Sequence, residues 1–294
     1  MNLYNDLVLS ENRATAKSYA KINLSLDVLG KLPNGYHNVK MVMQTVGLFD
    51  LIIVDKVSYG IHISTNCKFI PRNHKNIAYK AALLFFEKTK IRGGAKILIH
   101  KNIPVSAGLA GGSGNAAAVL CALNMLYDMP LSENEIFDIA LKLGADVPYC
   151  IKGGTCLAEG IGEKLTALSP IPSFPVVLVK PEISISTAEI YRLIDFAENL
   201  VHPDTNAVLD AIKNRDYDKL FKNMQNDMQS VTEEICPQIS DICSDLRMLG
   251  AKASLMSGSG PTVYGIFDDE KTAKKAFDEL SEKFKKTFLT HILN

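Results

Sequence analysis

The chain has 294 residues, 47% hydrophobic and 22% charged, with 32 Lys plus Arg balanced by 32 Asp plus Glu and a pI near 7.0. This is ordinary globular usage, far from disordered composition, and long enough for two domains of roughly 100–200 residues. Zero formal charge speaks against DNA, RNA or an anionic membrane as main partner, so an anionic ligand must be held locally; no apolar run nears the roughly 18–20 residues of a membrane span.

Six cysteines, Cys67, Cys121, Cys150, Cys156, Cys236 and Cys243, form no C-x-x-C pair and predict reduced, mostly buried thiols. The first 17 residues carry Asp6 and Glu11 and lack an apolar core of roughly 7–15 residues, so no leader is expected and the predicted compartment is the cytoplasm.

Residues 15–100 read as strands, one helix and a further strand. In Ala20-Lys21-Ile22-Asn23-Leu24-Ser25-Leu26-Asp27-Val28 the apolar residues alternate, the period of a half-buried strand, which sets Lys21, Asn23, Ser25 and Asp27 on one polar face. Asn34-Gly35 predicts a two-residue hairpin turn, followed by Tyr36, His37 and the apolar run 39–46. Ile77, Ala81, Leu84 and Phe85 predict a helix over 76–90, and 95–100 returns to strand.

A glycine-rich loop then runs into an Ala/Leu-rich helix. Ser132 and Glu135 make a capping box for a further helix ending at Gly144, which leaves Asp146 on a helix-to-strand corner. Ser169-Pro170-Ile171-Pro172-Ser173 is the linker candidate, dividing the chain into 1–168 and 174–294. Beyond it come strand (174–180), helices (187–249, with a capping box at Ser186 and Glu189), strand (252–257), strand (262–267), helix (271–284) and strand (287–293). That is the ferredoxin-like order.

A glycine-rich turn opening a helix offers backbone N–H groups and the positive end of the helix dipole, an anion site suited to phosphate. A flexible surface loop is the plainer alternative. No glycine is followed by Lys-Ser or Lys-Thr, so there is no Walker A loop. Gly112-x-Gly114-x-x-Ala117 fits a relaxed dinucleotide fingerprint, but about a dozen residues separate it from its strand. H-R-D and D-F-G are absent.

A third scheme, Pro-x-x-x-Gly-Leu-x followed by glycines and small residues, is met by Pro104-Val105-Ser106-Ala107-Gly108-Leu109-Ala110-Gly111-Gly112-Ser113-Gly114. Together with Ala20-Lys21-Ile22-Asn23-Leu24 and Ser257-Gly258-Ser259-Gly260-Pro261-Thr262-Val263, it makes the chain resemble the GHMP kinase superfamily of small-molecule kinases from about residue 17 onward. Gly35-Tyr36-His37 and Leu143-Gly144-Ala145-Asp146-Val147-Pro148 direct the resemblance to members whose alcohol substrate carries cytidine diphosphate.

The resemblance implies an α/β (α+β) fold with a ribosomal-protein-like ATP-binding domain over 1–168 and a ferredoxin-like substrate domain over 174–294. It implies ATP as co-substrate along 104–114, with Asn76 near the adenine and Mg²⁺ delivered with ATP rather than by a dedicated protein site. Asp146 is the expected acceptor of the hydroxyl proton and Lys21 the cation beside it. Tyr36 is expected to stack on the cytosine, with His37 bonding the base, Asn23 and Thr187 touching substrate, and Tyr191 supplying a second ring across the base. Similar enzymes carry glycine at Ala110 and serine at Gly114, so one loop hydroxyl is missing here. His62, His74, His100, His202 and His291 show no ligand spacing. The partner is a small molecule; monomer and homodimer both suit the chain. The alternatives are a GHMP kinase for mevalonate, homoserine or a sugar, or a non-catalytic nucleotide- or RNA-binding protein on the same scaffold.

Overall fold

The computed structural model describes residues 7–197 and 200–294; the start of the segment read as lacking a leader, residues 1–6, lies outside them. In chain order the elements begin with β1 (Val8–Ser10), β2 (Arg13–Lys31), β3 (His37–Val57), β4 (Gly60–Thr65), α1 (Ile77–Thr89), β5 (Gly94–His100) and α2 (Gly111–Leu126). They continue with α3 (Glu133–Leu143), α4 (Val147–Lys152), β6 (Thr155–Gly160), β7 (Lys164–Ala167) and β8 (Pro175–Val179). The helices α5 (Thr187–Ile194), α6 (Thr205–Asn214) and α7 (Tyr217–Asn223) precede the short β9 (Gln225–Asn226), α8 (Asp227–Ile235) and α9 (Gln238–Met248). The chain closes with β10 (Ala253–Met256), β11 (Val263–Ile266), α10 (Glu270–Lys283) and β12 (Thr287–His291).

Two compact units are each assembled from three segments. One holds Met1–Ala20, Phe49–Val105 and Ala110–Gly153, the other Lys21–Leu48, Ser106–Leu109 and Gly154–Asn294. This clustering divides the chain differently from a single boundary at 169–173, because β2 and β3, at 19 and 21 residues, each contribute to both units.

In the first unit the end of β3 pairs antiparallel with β5, in register Leu51↔His100 to Val57↔Gly94, and β4 runs parallel to β5. Ala78, Ala81, Ala82 and Phe85 of α1 share a core with the residues of α2 from Ala116 to Leu123, all fully buried. Alanines let the two helices approach closely; a leucine at Ala117 would overpack that contact at a cost of about 1–3 kcal/mol. Ser132 and Glu135 form the expected capping box, and Asn76 caps α1.

In the second unit β10-β11-β8-β12 form an antiparallel sheet with Val176 to Val179 fully buried at its centre, the ferredoxin-like arrangement expected. The first half of β3 pairs with β6, which pairs with β7, and β9 adds alongside β2 at Ser25 and Leu26. The strand predicted as half-buried is buried on both faces: Lys21, Asn23, Ser25 and Asp27 are hidden as well as Ile22, Leu24 and Leu26. Its polar face is covered by residues far along the chain, with the Ser25 hydroxyl 2.9 Å from that of Thr205 and Asp27 2.7 Å from His202. The connection at Asn34-Gly35 is longer than the two residues predicted. It spans 32–36, closed by Leu32 N–H to Tyr36 O at 2.7 Å and Gly35 N–H to Leu32 O at 2.9 Å. All six cysteines are free thiols, and Cys121, Cys156, Cys236 and Cys243 are buried. No helix among the described residues is long and apolar enough to cross a membrane.

Candidate active site

Lys21 and Asn23 lie two apart on β2, so their side chains leave the same face. The Lys21 ammonium donates to Asn23 Oδ1 at 2.7 Å, and the Gly258 N–H donates to the same oxygen at 3.0 Å. The Lys21 amide donates to Leu109 O at 3.2 Å, and the Ser257 hydroxyl donates to Gly108 O at 2.9 Å. Residues 106–109 are thus pinned to β2 and to the turn after β10. Gly108 has φ +71°, and a Cβ there would collide with the carbonyl of Ser257, so only glycine fits. Ser106, at φ 50°, also takes the left-handed conformation and is exposed, while Ala107 and Leu109 are buried anchors. Ser106, Gly108, Ser184, Ile185, Thr187 and Gly260 line a cleft of about 480 Å³. Thr187 there meets the Ser259 hydroxyl at 2.8 Å. Ser186 starts α5 without a side-chain cap, so the expected capping box with Glu189 is absent: the Glu189 backbone N–H donates to the Ser186 carbonyl at 3.0 Å instead.

The glycines placed in a loop by the sequence are the first turn of α2, whose N-cap Ala110 is left-handed at φ 53° and makes no side-chain cap. The first helical bond runs from Gly114 N–H to Ala110 O at 2.8 Å, leaving the amides of Gly111, Gly112 and Ser113 outside the ladder. Gly112 is exposed, with only an Ile77 methyl 3.8 Å from where a Cβ would stand. Gly114 is buried, and a Cβ there would lie 2.5 Å from Ser18 Oγ, which would have to turn aside. Below this turn sits the buried Asp50. Its Oδ1 accepts the Asn102 and Ile103 amides at 2.7 and 2.8 Å, and its Oδ2 pairs with the Lys101 ammonium. Asn115, with its amide nitrogen turned inward, donates to Asp50 Oδ2 at 2.8 Å and Ser18 Oγ at 3.2 Å. One carboxylate therefore ties the approach to Pro104 and Val105 to the first turn of α2.

Asp146 stands at a helix-to-helix corner rather than helix-to-strand, because Pro148 in the first turn starts the six-residue α4. It is half-buried, and its side chain makes no capping bond. Asn76 spends its amide on structure: Oδ1 accepts the Ala78 N–H at 2.9 Å, and Nδ2 donates to Pro71 O at 2.7 Å. Asn76, expected near the adenine, thus serves as the cap of α1.

His37 opens β3 with its ring buried, Nε2 2.7 Å from Asp195 Oδ1. Tyr191 stacks on that ring at 4.4 Å and 17°, so the aromatic set opposite Tyr36 by the sequence lies against the histidine. Tyr36 is 59% exposed, free to present a face to a planar ligand. Asp195 also takes the Lys31 ammonium at 2.5 Å; that ion pair first, and His37 second, hold its carboxyl below the usual range.

His202, read as structural or surface, joins Asp27 and Asp227 in a cluster whose three ligand-type atoms lie within 4.8 Å of one another. Asp227 Oδ2 accepts the Val28 amide at 2.6 Å, whereas its buried Oδ1 has no hydrogen-bond partner. Burial first, and the charge of Asp27 after it, push the Asp227 carboxyl up to about 6.

The family model for the GHMP kinase N-terminal domain matches residues 76–154, and that for the C-terminal domain matches 208–286. A 4-diphosphocytidyl-2-C-methyl-D-erythritol kinase of Clostridium botulinum is 47% identical over 94% of this chain and 99% of its own; one of Clostridium beijerinckii is 43% identical over the same shares. The chain belongs to the family of 4-diphosphocytidyl-2-C-methyl-D-erythritol kinases. A crystal structure of 4-(cytidine 5'-diphospho)-2C-methyl-D-erythritol kinase aligns with a TM-score of 0.82 at 30% identity, over 95% of this chain and 99% of that one. A homoserine kinase of Cytophaga hutchinsonii shares the fold, with a TM-score of 0.78 at 16% identity over 97% and 96%.

Within this kinase family's fold the sequence reading missed Asp50, Asp195, Ser257 and Lys31. Ser257 lay inside a quoted motif, and its role could have been suspected there. Asp50 and Asp195 carry no local signal, since their partners lie 51 and 158 residues away.

Proposed function

We propose that this chain transfers the γ-phosphoryl group of ATP to the 2-hydroxyl of 4-diphosphocytidyl-2-C-methyl-D-erythritol, in the non-mevalonate route to isoprenoid precursors. The observation that carries this reading is identity of 43–47% along 94% of the chain to kinases of that name. Backbone amides and the left-handed turns at Ser106, Gly108 and Ala110 support ATP phosphate binding along 104–114.

Phosphoryl transfer through a loose transition state asks mainly for positioning and electrostatic stabilisation. In this reading the 2-hydroxyl oxygen bonds to the γ-phosphorus, the bond from that phosphorus to the β-bridging oxygen breaks, ADP departs, and Asp146 takes the hydroxyl proton. The Lys21 ammonium, fixed by Asn23, faces the charge developing on the transferring group. Magnesium bound with ATP would neutralise phosphate charge; the hydroxyl of Ser113 and the carboxylate of Asp146 are oxygen donors of the kind it takes. Tyr36 and His37 serve the cytosine, and Thr187, in the cleft beside Ser106, serves the rest of the substrate.

The test is transfer of labelled γ-phosphate from ATP to a panel holding the cytidine-linked erythritol, mevalonate, homoserine and galactose. Label on the first alone is expected. Transfer to another member, or to none while ATP still binds, would overturn the assignment.

A further inference from the structure

We propose that Asp195 is a positioning residue that sets the tautomer of His37 and so makes the enzyme select cytosine over uracil; the proposal rests on the reading that His37 meets the base. The ring of His37 is held on two sides, by the stacked Tyr191 and, at Nε2, by Asp195 Oδ1 at 2.7 Å. An ionised carboxylate only accepts, so Nε2 carries the proton. Asp195 already has its counter-charge in Lys31 at 2.5 Å. With its charge matched by Lys31, the carboxylate fixes which ring nitrogen of the neutral tautomer faces it, the Nε2–H.

That leaves Nδ1 as a lone-pair acceptor, and among the described residues it takes no protein hydrogen bond. Cytosine carries an amino donor at the position where uracil carries a carbonyl acceptor. An acceptor at Nδ1 pairs with the first and opposes the second. Discrimination between the bases would then be written not in His37 alone but in the aspartate behind it. Lys31 is part of the device, because its ion pair holds the Asp195 carboxylate in place behind the ring.

The experiment compares kcat/KM for the cytidine substrate and its uridine counterpart in the wild type, Asp195→Asn and Asp195→Glu, with ¹⁵N spectra of the labelled imidazole. In Asp195→Asn the side-chain oxygen stays with Lys31 and the amide NH₂ faces Nε2, which moves the ring proton to Nδ1. The cytidine-to-uridine ratio is expected to fall at least about tenfold through KM, with kcat and the KM for ATP held. Asp195→Glu should restore part of the ratio, and the wild-type Nδ1 signal should be that of an unprotonated nitrogen. An unchanged ratio in Asp195→Asn, or a protonated Nδ1 in the wild type, overturns the proposal; so does a KM for ATP that rises in step, the mark of a merely structural residue. A wild type that accepts neither nucleotide overturns the functional assignment instead, and the nitrogen spectra still decide what Asp195 does to the ring.

Discussion

The Lys21 ammonium and Asn23 Oδ1 are 2.7 Å apart on one face of β2, and that oxygen also receives the Gly258 amide. A single side chain thereby holds both the cation and the turn next to it. Asn23→Ala should strand a buried N–H and lower stability by about 1–3 kcal/mol, read as a shift of the urea midpoint at unchanged slope. A loss below about 0.5 kcal/mol would mean that Gly258 finds another acceptor.

Asp146 makes no cap to α4, so its carboxylate is not committed to holding the helix. Asp146→Asn should reduce kcat by at least about 10²-fold while KM for both substrates barely moves, because a base acts in the transition state. Near-normal turnover would remove it from the mechanism.

Two glycines of the 104–114 segment, proposed to bind phosphate, are expected to fail differently. In Gly108→Ala the new methyl meets the Ser257 carbonyl in a left-handed backbone, and the protein should lose stability by roughly 1–3 kcal/mol or more. In Gly112→Ala the methyl meets only Ile77 at 3.8 Å, so the fold should persist while ATP affinity drops as the exposed amides are covered. Thermal melts beside nucleotide titrations separate the two; equal melts would show that the loop yields at Gly108.

The Asp227 carboxyl, raised by burial to about 6 in the folded chain, binds its proton more tightly than in the unfolded chain, where 3.8 is ordinary. Its contribution therefore favours folding below about pH 4, weakens as the pH climbs to about 6, and is flat above; two pKa units correspond to about 3 kcal/mol. Asp55, Asp195 and Asp269 are shifted the other way, so the informative quantity is the difference between the wild type and Asp227→Asn. Relative to Asp227→Asn, the wild type should gain stability steadily on acidification from pH 6 to pH 4. A constant gap would place the wild-type carboxyl at an ordinary value.

Local pattern carried much of the architecture. The α1 and α2 helices and the ferredoxin-like order were legible because periodicity and turn residues act over a few positions. What escaped was set at long range. The polar alternation of β2 predicted a wet face, but Thr205, His202 and Gly258 arrive 175 to 235 residues later to cover it. Asp146 was singled out by its motif but set on the wrong corner, since six residues are too few for helical period to show. Pro148 was the signal that could have marked α4.

The buried Tyr264 hydroxyl donates to the Asn23 carbonyl at 2.6 Å, and its burial lifts the phenol well above the ordinary range. The chain has no tryptophan, so tyrosine dominates its near-ultraviolet absorbance. In alkaline solution this phenol stays silent until the strand bearing Lys21 comes apart. The Tyr264 step of an alkaline spectrophotometric titration, assigned as the one lost in Tyr264→Phe, is thus a label-free optical signal for opening at the lysine's own strand.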